Sequence, residues 1–324
     1  MAAAGFAVVV LAAGLGTRMR SRTAKMLHQA AGRPVVEHVL RALTPLDPDL
    51  VVVVVGHGEQ EVRQLLAPYQ VTFVRQRQQL GTGHALLEAK RVLAGFEGSV
   101  LTLNGDGPLL RSETLRALRD THEREAAGMT LITCSVSDPA GLGRIVRDGR
   151  GDIERIVEEK DATCEEREIH EVNPGIYLFD RDVFTLAQRL TNDNTAGEYY
   201  VTDLPGIYLQ LGRKVASLSV ADESEVLGVN DRRQLALADR ILRDRIRDHW
   251  MLAGVTMIAP EQVFIDDTVT LGSDVTLYPG VWLTGATQIG SGATVGPFSV
   301  LHDCVVKDGA SVEPFKVLEG VELA

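Results

Sequence analysis

The last quarter of the sequence repeats an aliphatic residue every six positions. Seven consecutive anchors share this spacing: Ile265, Leu271, Leu277, Leu283, Ile289, Val295 and Leu301. After a one-residue slip the spacing resumes at Val306, Val312 and Leu318. A six-residue repeat with small residues at its turns is typical of a parallel β-helix, in which stacked coils bury the aliphatic positions. The repeat therefore predicts a short left-handed parallel β-helix of about three coils, with three hexapeptides in each coil.

The region before the repeat alternates short apolar runs with amphipathic segments. Strands are predicted at Ala7–Leu11, Val51–Val55, Val71–Val74, Ser99–Leu103 and Met129–Ser135. This alternation indicates βαβ units and a Rossmann-like α/β domain, with a mostly parallel sheet and helices on both faces. Apolar residues then recur every four positions before the hexapeptides, as in an amphipathic helix. We predict an α/β domain over residues 1–230, a connecting helix over 231–250 and the β-helix over 251–324.

A glycine-containing turn follows the first predicted strand. Gly14 and Gly16 leave room for a ligand against the backbone and can adopt positive φ. Successive N–H groups in such a turn form a concavity that binds anions, and Arg18 and Lys25 add positive charge suited to phosphates. Met19 stands where a dinucleotide-binding fingerprint has its third glycine, and no GK[ST] follows at Walker spacing. The turn therefore predicts a triphosphate site of another kind.

Charge and cysteine content limit the partners and the compartment. The net charge of −11 argues against a nucleic acid or an anionic membrane as partner, since either would need a basic face. The sequence has no apolar run of the roughly 18 residues needed to span a membrane. Three widely separated cysteines form no paired framework, which favours a reducing, cytoplasmic compartment.

The string LAAGLGTRM, followed by Lys25 and by Gly32-Arg33-Pro34, resembles the bacterial N-acetylglucosamine-1-phosphate uridylyltransferases, bifunctional enzymes of UDP-N-acetylglucosamine biosynthesis. Further segments match that family in order and spacing: QRQQLGTGHA at 76–85, GDGPLL at 105–110, GRI at 143–145, VEEKDAT at 157–163, VNPGIY at 172–177, GEYYVTDL at 197–204 and GVNDRRQLA at 228–236. The resemblance implies transfer of a uridylyl group from UTP to N-acetylglucosamine-1-phosphate with release of pyrophosphate. A sugar-phosphate oxygen can attack the α-phosphorus directly, so positioning and charge neutralisation are the protein's task.

The resemblance also implies roles for individual residues. Arg18, Lys25 and Asp106 are the expected catalytic residues. Asp106, in a glycine-flanked turn, is the expected Mg²⁺ ligand, and the resemblance adds Asn230 as its partner. Expected nucleotide contacts are Leu11, Ala12, Ala13, Gly14, Lys25, Gln76, Gly81 and Thr82. Expected sugar contacts are Asn104, Gly105, Gly143, Glu158 and Asn173.

Two further expectations concern residues outside these lists. His28, His57 and His84 lack metal-ligand spacing and are expected to be structural. Asp106 is expected to be an exposed carboxylate whose replacement abolishes turnover without unfolding the chain.

Departures from the family pattern leave alternatives open. The chain has Asn104 and Leu142 where the family usually has tyrosine, Gly107 where it usually has threonine before Pro-Leu, and Pro174 in place of another threonine. The two losses of tyrosine, at Asn104 and Leu142, favour a first alternative, a nucleotidyltransferase for another sugar-1-phosphate or base. A second alternative is a catalytically silent nucleotide-binding scaffold, although the four expected catalytic and metal-binding residues are present.

The short β-helix carries expectations of its own. In the family it continues further and acetylates glucosamine-1-phosphate, whereas this sequence stops at Ala324, so acetyltransferase activity is not expected. So small a prism buries little apolar surface by itself. Because family members form trimers and one repeated interface suits cyclic symmetry, we expect a homotrimer held by residues 251–324.

Overall fold

The computed structural model describes residues 5–324, which form two compact units. The first unit takes in the described residues up to Leu27 together with Val35–Asp231. The second contains His28–Pro34 and Arg232–Ala324. None of the helices in residues 5–324 is both long and apolar enough to cross a lipid bilayer.

A ten-stranded sheet forms the centre of the first unit. Its strands are β1 Gly5–Ala12, β2 Leu50–Val55, β3 Thr72–Arg75, β4 Gly98–Asn104, β5 Met129–Ser135, β6 Gly143–Arg147, β7 Ile153–Val157, β8 Glu171–Asn173, β9 Tyr177–Phe179 and β10 Val215–Val220. They lie in the order β3-β2-β1-β4-β9-β5-β8-β6-β7, with β10 paired to β5. Neighbouring strands are parallel along the series β3-β2-β1-β4 and in the pair β10-β5. The pairs β4-β9, β9-β5, β5-β8, β8-β6 and β6-β7 are antiparallel.

Helices cover both faces of this sheet. They are α1 Val35–Leu43, α2 Glu59–Leu65, α3 Thr82–Ala89, α4 Ser112–Arg124, α5 Cys164–Arg167, α6 Val183–Ala187 and α7 Leu204–Gln210. Successive side chains of a strand point to opposite faces, so β1 contributes to two cores. Val9 packs in the core that includes Leu86 of α3, and Val10 packs in the core that includes Val39 of α1. The predicted α/β fold class is confirmed.

Twelve short parallel strands in the second unit form three faces of four strands each. The first face has Thr256–Met257, Thr276–Leu277, Thr294–Val295 and Ser311–Val312; the second has Phe264–Ile265, Trp282–Thr284, Val300–His302 and Val317–Glu319; the third has Thr270–Leu271, Gln288–Ile289, Val305–Val306 and Glu322–Leu323. Their arrangement fits the predicted left-handed parallel β-helix. Each face has four strands, one more than the three coils predicted from the sequence. The extra strands arise because the β-helix begins at Thr256, before the first anchor Ile265, and continues to Leu323, beyond the last anchor Leu318.

Two other elements belong to the second unit. Helix α8 spans Arg232–Leu252, and its Asp239 side chain accepts a hydrogen bond from Ala31 N at 2.7 Å. Ala31 lies in a small hairpin formed by Gln29–Ala30 and Arg33–Pro34. The hairpin thus joins the β-helix unit, although the sequence analysis assigned these residues to the first domain.

Candidate active site

Three of the predicted site residues converge in the first unit. Lys25 opens the 3₁₀ turn Lys25–Leu27, Asp106 follows β4, and Asn230 lies near the end of the unit. Lys25 Nζ donates hydrogen bonds to Asp106 Oδ2 and, at 3.1 Å, to Asn230 Oδ1. Val229 N also donates to the backbone oxygen of Asp106 at 2.8 Å, which ties the two distant segments together.

Asp106 is less accessible than the sequence analysis expected. Its side chain is 15% exposed and that of Lys25 is 11% exposed. The expectation of an exposed turn carboxylate is therefore wrong, because the Lys25 side chain and the segment at Val229 enclose it.

The donor set of this cluster fits a hard cation. A carboxylate oxygen of Asp106 and the amide oxygen of Asn230 already share one cationic group, the ammonium of Lys25. Oxygen ligands of these two kinds suit Mg²⁺, which uses few protein groups and keeps water and phosphate ligands. Within residues 5–324, no group of three or more His, Cys, Asp or Glu could hold a metal ion.

The glycine-containing turn combines one position where only glycine fits with one open position. Gly16 has φ +61°, and a Cβ there would lie 2.9 Å from Lys25 Cβ, so the prediction of positive φ is confirmed at this residue. At Gly14 φ lies outside the left-handed range, and an added Cβ would meet no atom within 4 Å. The open space beside Gly14 allows a ligand to approach the backbone closely.

The other predicted members of the turn differ in exposure. Leu11, Ala12 and Ala13 are buried, and Leu11 O accepts a hydrogen bond from Gly105 N at 2.9 Å. Arg18 is exposed and makes no ion pair with any residue in the described part of the chain. The structure thus brings Lys25, Asp106 and Asn230 together but leaves Arg18 outside that cluster.

Gln76 is held by contacts inside the protein. It follows β3, is 4% exposed, and its backbone N donates to Val55 O at 2.9 Å. Its side-chain Nε2 donates to Gly81 O at 3.0 Å and lies 3.0 Å from His84 Nδ1. Sequence reasoning missed this contact of His84, although His84 lies within the same matching segment as Gln76.

Gly81 and Thr82 are fixed by the segment that contains GEYYVTDL. Gly81 has φ +104°, and a Cβ there would lie 2.5 Å from Tyr199 O. Thr82 Oγ1 accepts a hydrogen bond from Val201 N at 3.1 Å. Glycine is therefore needed at position 81 for both its conformation and its close backbone packing.

Glu158 lies beside an open cavity of about 300 Å³, whose lining includes Tyr200, Thr202 and Asp203. Thr202 Oγ1 donates to Glu158 Oε1 at 3.0 Å. Burial raises the pKa of Glu158 and of Asp203 above their ordinary values, and burial raises the pKa of Tyr200 to about 12. The cavity thus brings together groups that can donate hydrogen bonds to a polar ligand or accept them from it.

Asn173 and Gly143 are neighbours on paired strands. They are directly opposite each other in the antiparallel pair of β8 and β6. Asn173 Nδ2 donates to Tyr177 Oη at 2.6 Å, and Gly175 N donates to Asn173 Oδ1 at 3.2 Å. These hydrogen bonds orient the Asn173 amide. The sequence analysis did not predict that Tyr177 contributes to this orientation.

Asn104 is the last residue of β4, the strand next to β1, and Gly105 follows it. Asn104 is paired with Leu11 in the parallel register. A Cβ on Gly175, which has φ +80°, would lie 2.5 Å from Asn104 Nδ2, so the Asn104 side chain packs against this turn.

Comparisons with known proteins identify relatives of this chain. Residues 8–200 match the family model of the MobA-like NTP transferase domain. The bifunctional protein GlmU of Thermus thermophilus is 47% identical over 97% of this chain and 69% of its own length. The bifunctional protein GlmU of Halalkalibacterium halodurans is 44% identical over 94% of this chain and 67% of its own length.

A solved structure shares the fold. It is a Bacillus anthracis chain described as a glucose-1-phosphate thymidylyltransferase, with a TM-score of 0.59 and 21% identity. The match covers 74% of this chain and 96% of that chain.

Proposed function

The chain belongs to the GlmU family of sugar nucleotidyltransferases, and from its site we propose how it performs uridylyl transfer. UTP and N-acetylglucosamine-1-phosphate are converted to UDP-N-acetylglucosamine and pyrophosphate. An oxygen of the sugar phosphate forms a bond to the α-phosphorus of UTP, and the bond from that phosphorus to the leaving pyrophosphate breaks. No covalent protein intermediate is required, so the residues act by orientation and by neutralising charge.

The positive groups in and after the glycine-containing turn are proposed to hold the triphosphate. Lys25 Nζ is a compact cation whose hydrogens can be donated to phosphate oxygens as well as to its present partners. Arg18 is exposed and offers a planar guanidinium to the same phosphates. The open space at Gly14 supports the proposal that the nucleotide lies against residues Leu11 to Gly14.

Asp106 and Asn230 are the proposed ligands of a divalent cation, and we propose Mg²⁺. When bound, this ion would supply positive charge to the phosphate oxygens during transfer. Asp106 contributes the negative charge that retains the cation, and Asn230 contributes a neutral oxygen.

Uridine and sugar contacts are proposed from the remaining residues. Gln76, Gly81 and Thr82 contact the uracil base, as in the family that the sequence resembles. The hydrogen-bonding groups beside the cavity at Glu158 support sugar binding there. Further proposed sugar contacts are Asn104, Gly105, Gly143 and Asn173.

A nucleotidyltransferase acting on another sugar or base is the second candidate. Asn104 stands where the family usually has tyrosine. Its side chain packs against Gly175, close to Asn173, which is proposed to bind the sugar. The smaller side chain could widen the space for a different sugar.

The convergence of Lys25, Asp106 and Asn230 carries the proposed mechanism. The test is pyrophosphate release from UTP and N-acetylglucosamine-1-phosphate by the full chain and by Lys25→Ala, with added Mg²⁺ and with excess EDTA. We expect release by the parent only with the metal, and a loss in the variant mainly in kcat, because the lysine charge matters most during transfer. Equal rates for the parent and Lys25→Ala would contradict the assignment.

We also propose a homotrimer assembled through the β-helix, in a reducing, cytoplasmic compartment. Phe298 and Phe315 are 56% and 73% exposed, and their rings stack at 5.6 Å. Val317 is 78% exposed. Large exposed apolar side chains that lie together mark surfaces for protein association. The three free cysteines support the proposed compartment.

A further inference from the structure

We propose that His84 and Glu88 are positioning residues that orient the Gln76 amide and thereby discriminate UTP from CTP. The inference rests on the proposed function, because it takes Gln76 as a contact of the base.

Gly81 O determines which end of the Gln76 amide faces inward. A carbonyl oxygen can only accept, so the side-chain atom 3.0 Å from Gly81 O must be the Nε2 of Gln76. The second hydrogen of the same nitrogen is available to His84 Nδ1, also at 3.0 Å. The amide oxygen accepts no hydrogen bond from any residue in the described part of the chain. Gln76 therefore has an acceptor left for a ligand, while its donors are already used.

Glu88 favours the form of His84 that this arrangement needs. To accept at Nδ1, the imidazole must be neutral and carry its hydrogen on Nε2. His84 Nε2 lies 3.6 Å from Glu88 Oε1, four residues later on the helix α3. This distance is longer than a direct hydrogen bond allows, but the Glu88 carboxylate still attracts a hydrogen carried on Nε2 of the imidazole.

The position of Gly81 O makes the orientation hard to reverse. Any shift of this backbone is restricted by the Tyr199 backbone, since an added Cβ on Gly81 would lie 2.5 Å from Tyr199 O. Gln76 itself is 4% exposed. Reversing the amide would place its oxygen against the Gly81 oxygen, so two acceptors would face each other without a hydrogen between them.

An acceptor that is not paired within the part of the chain that the structure describes discriminates between the two pyrimidine bases. Uracil carries a hydrogen on N3 and can donate to the Gln76 oxygen, whereas N3 of cytosine is an acceptor and faces it without a hydrogen. A site built to accept a hydrogen bond disfavours a ligand that cannot donate one, because the polar group of the protein is then left unpaired.

The test is the calorimetric affinity of UTP and of CTP for the full chain and three variants. His84→Leu removes the acceptor at Nδ1, and His84→Asn retains an acceptor near that position. Arg91→Ala changes an exposed residue that pairs with Glu88 Oε2, whereas Glu88 Oε1 is the oxygen near His84. We expect the parent to bind UTP more tightly than CTP. His84→Leu should bind UTP about fivefold more weakly than the parent, a loss the size of one neutral hydrogen bond. Its affinity for CTP should stay within about twofold of the parent value. His84→Asn and Arg91→Ala should keep the parent ratio of UTP to CTP affinity.

Two results would overturn the proposal. The first is a parent without preference for UTP. The second is an unchanged ratio of UTP to CTP affinity in His84→Leu, whether neither affinity falls or both fall equally, as local structural damage would produce. Binding is measured without the sugar phosphate, and turnover is measured separately. An absence of pyrophosphate release would therefore contradict the proposed function, while the affinity ratios still decide the role of His84.

Discussion

Replacement of Asp106 by alanine removes the carboxylate that contacts Lys25. The two side chains are 15% and 11% exposed, so their pair is intermediate between a surface ion pair and a fully buried one. Exposed pairs contribute up to about 1 kcal/mol, and breaking a fully buried pair costs about 3–5 kcal/mol. We therefore expect Asp106→Ala to lower the free energy of unfolding by about 2 kcal/mol.

The chain should nevertheless stay folded. Lys25 Nζ keeps its hydrogen bond to Asn230 Oδ1 at 3.1 Å, and Val229 N still donates to the backbone oxygen of residue 106. Asp106→Asn is the matched control, since it keeps the shape and an oxygen for Lys25 but loses the charge. Its unfolding free energy should lie within about 1 kcal/mol of the parent value.

Activity should separate from stability in these two variants. Both lose the only negative charge among the two proposed cation ligands, so kcat/KM should fall at least about 10³-fold, equal to about 4 kcal/mol of transition-state stabilisation. Urea unfolding followed by circular dichroism gives the stability, and pyrophosphate release at saturating Mg²⁺ gives the rate. Activity of Asp106→Asn within about tenfold of the parent would refute the role of the carboxylate charge.

Three further variants test other parts of the structure. Gly81→Ala should lose about 2 kcal/mol or more of unfolding free energy, because φ is +104° and the new Cβ would lie 2.5 Å from Tyr199 O; a change below about 0.5 kcal/mol by urea unfolding would contradict this. Burial raises the pKa of Glu158, so the free energy of unfolding of the parent should fall relative to Glu158→Gln as pH rises from about 4 through that raised pKa. A difference between the two proteins in urea unfolding that does not change with pH would be inconsistent with the shift. The double variant Phe315→Ser, Val317→Ser should have a lower molar mass in light scattering than the parent, which is expected to be a trimer. A monomeric parent, or a variant with the parent's molar mass, would refute assembly through these side chains.

Much of the fold could be predicted from local sequence patterns. Strand β5, Met129–Ser135, was predicted with its correct bounds, and β1 differs from its prediction only at the ends, because long apolar runs suit strands buried on both faces. The β-helix was predicted because its anchors recur at a fixed spacing. Strand β7, Ile153–Val157, was not predicted, because it is short and charged residues interrupt its apolar positions.

The residue types of the candidate site were predictable, but their arrangement was not. Lys25 is 81 residues from Asp106 and 205 residues from Asn230 in the chain, so only the folded structure brings them together. The low exposure of Asp106 depends on the same long-range contacts. The contact between Gln76 and His84 depends on where helix α3 lies relative to β3, which no local spacing specifies.

A substrate panel tests the central claim most directly. Uridine, cytidine, thymidine, adenosine and guanosine triphosphates are each combined with N-acetylglucosamine-1-phosphate, glucose-1-phosphate and other sugar phosphates, and kcat/KM is measured by pyrophosphate release from the full chain with Mg²⁺. The account predicts that UTP with N-acetylglucosamine-1-phosphate exceeds every other pair by at least about tenfold, which corresponds to about 1.4 kcal/mol in transition-state binding. A different pair that reacts about tenfold faster would contradict the substrate assignment, and no release from any pair would contradict the proposed activity.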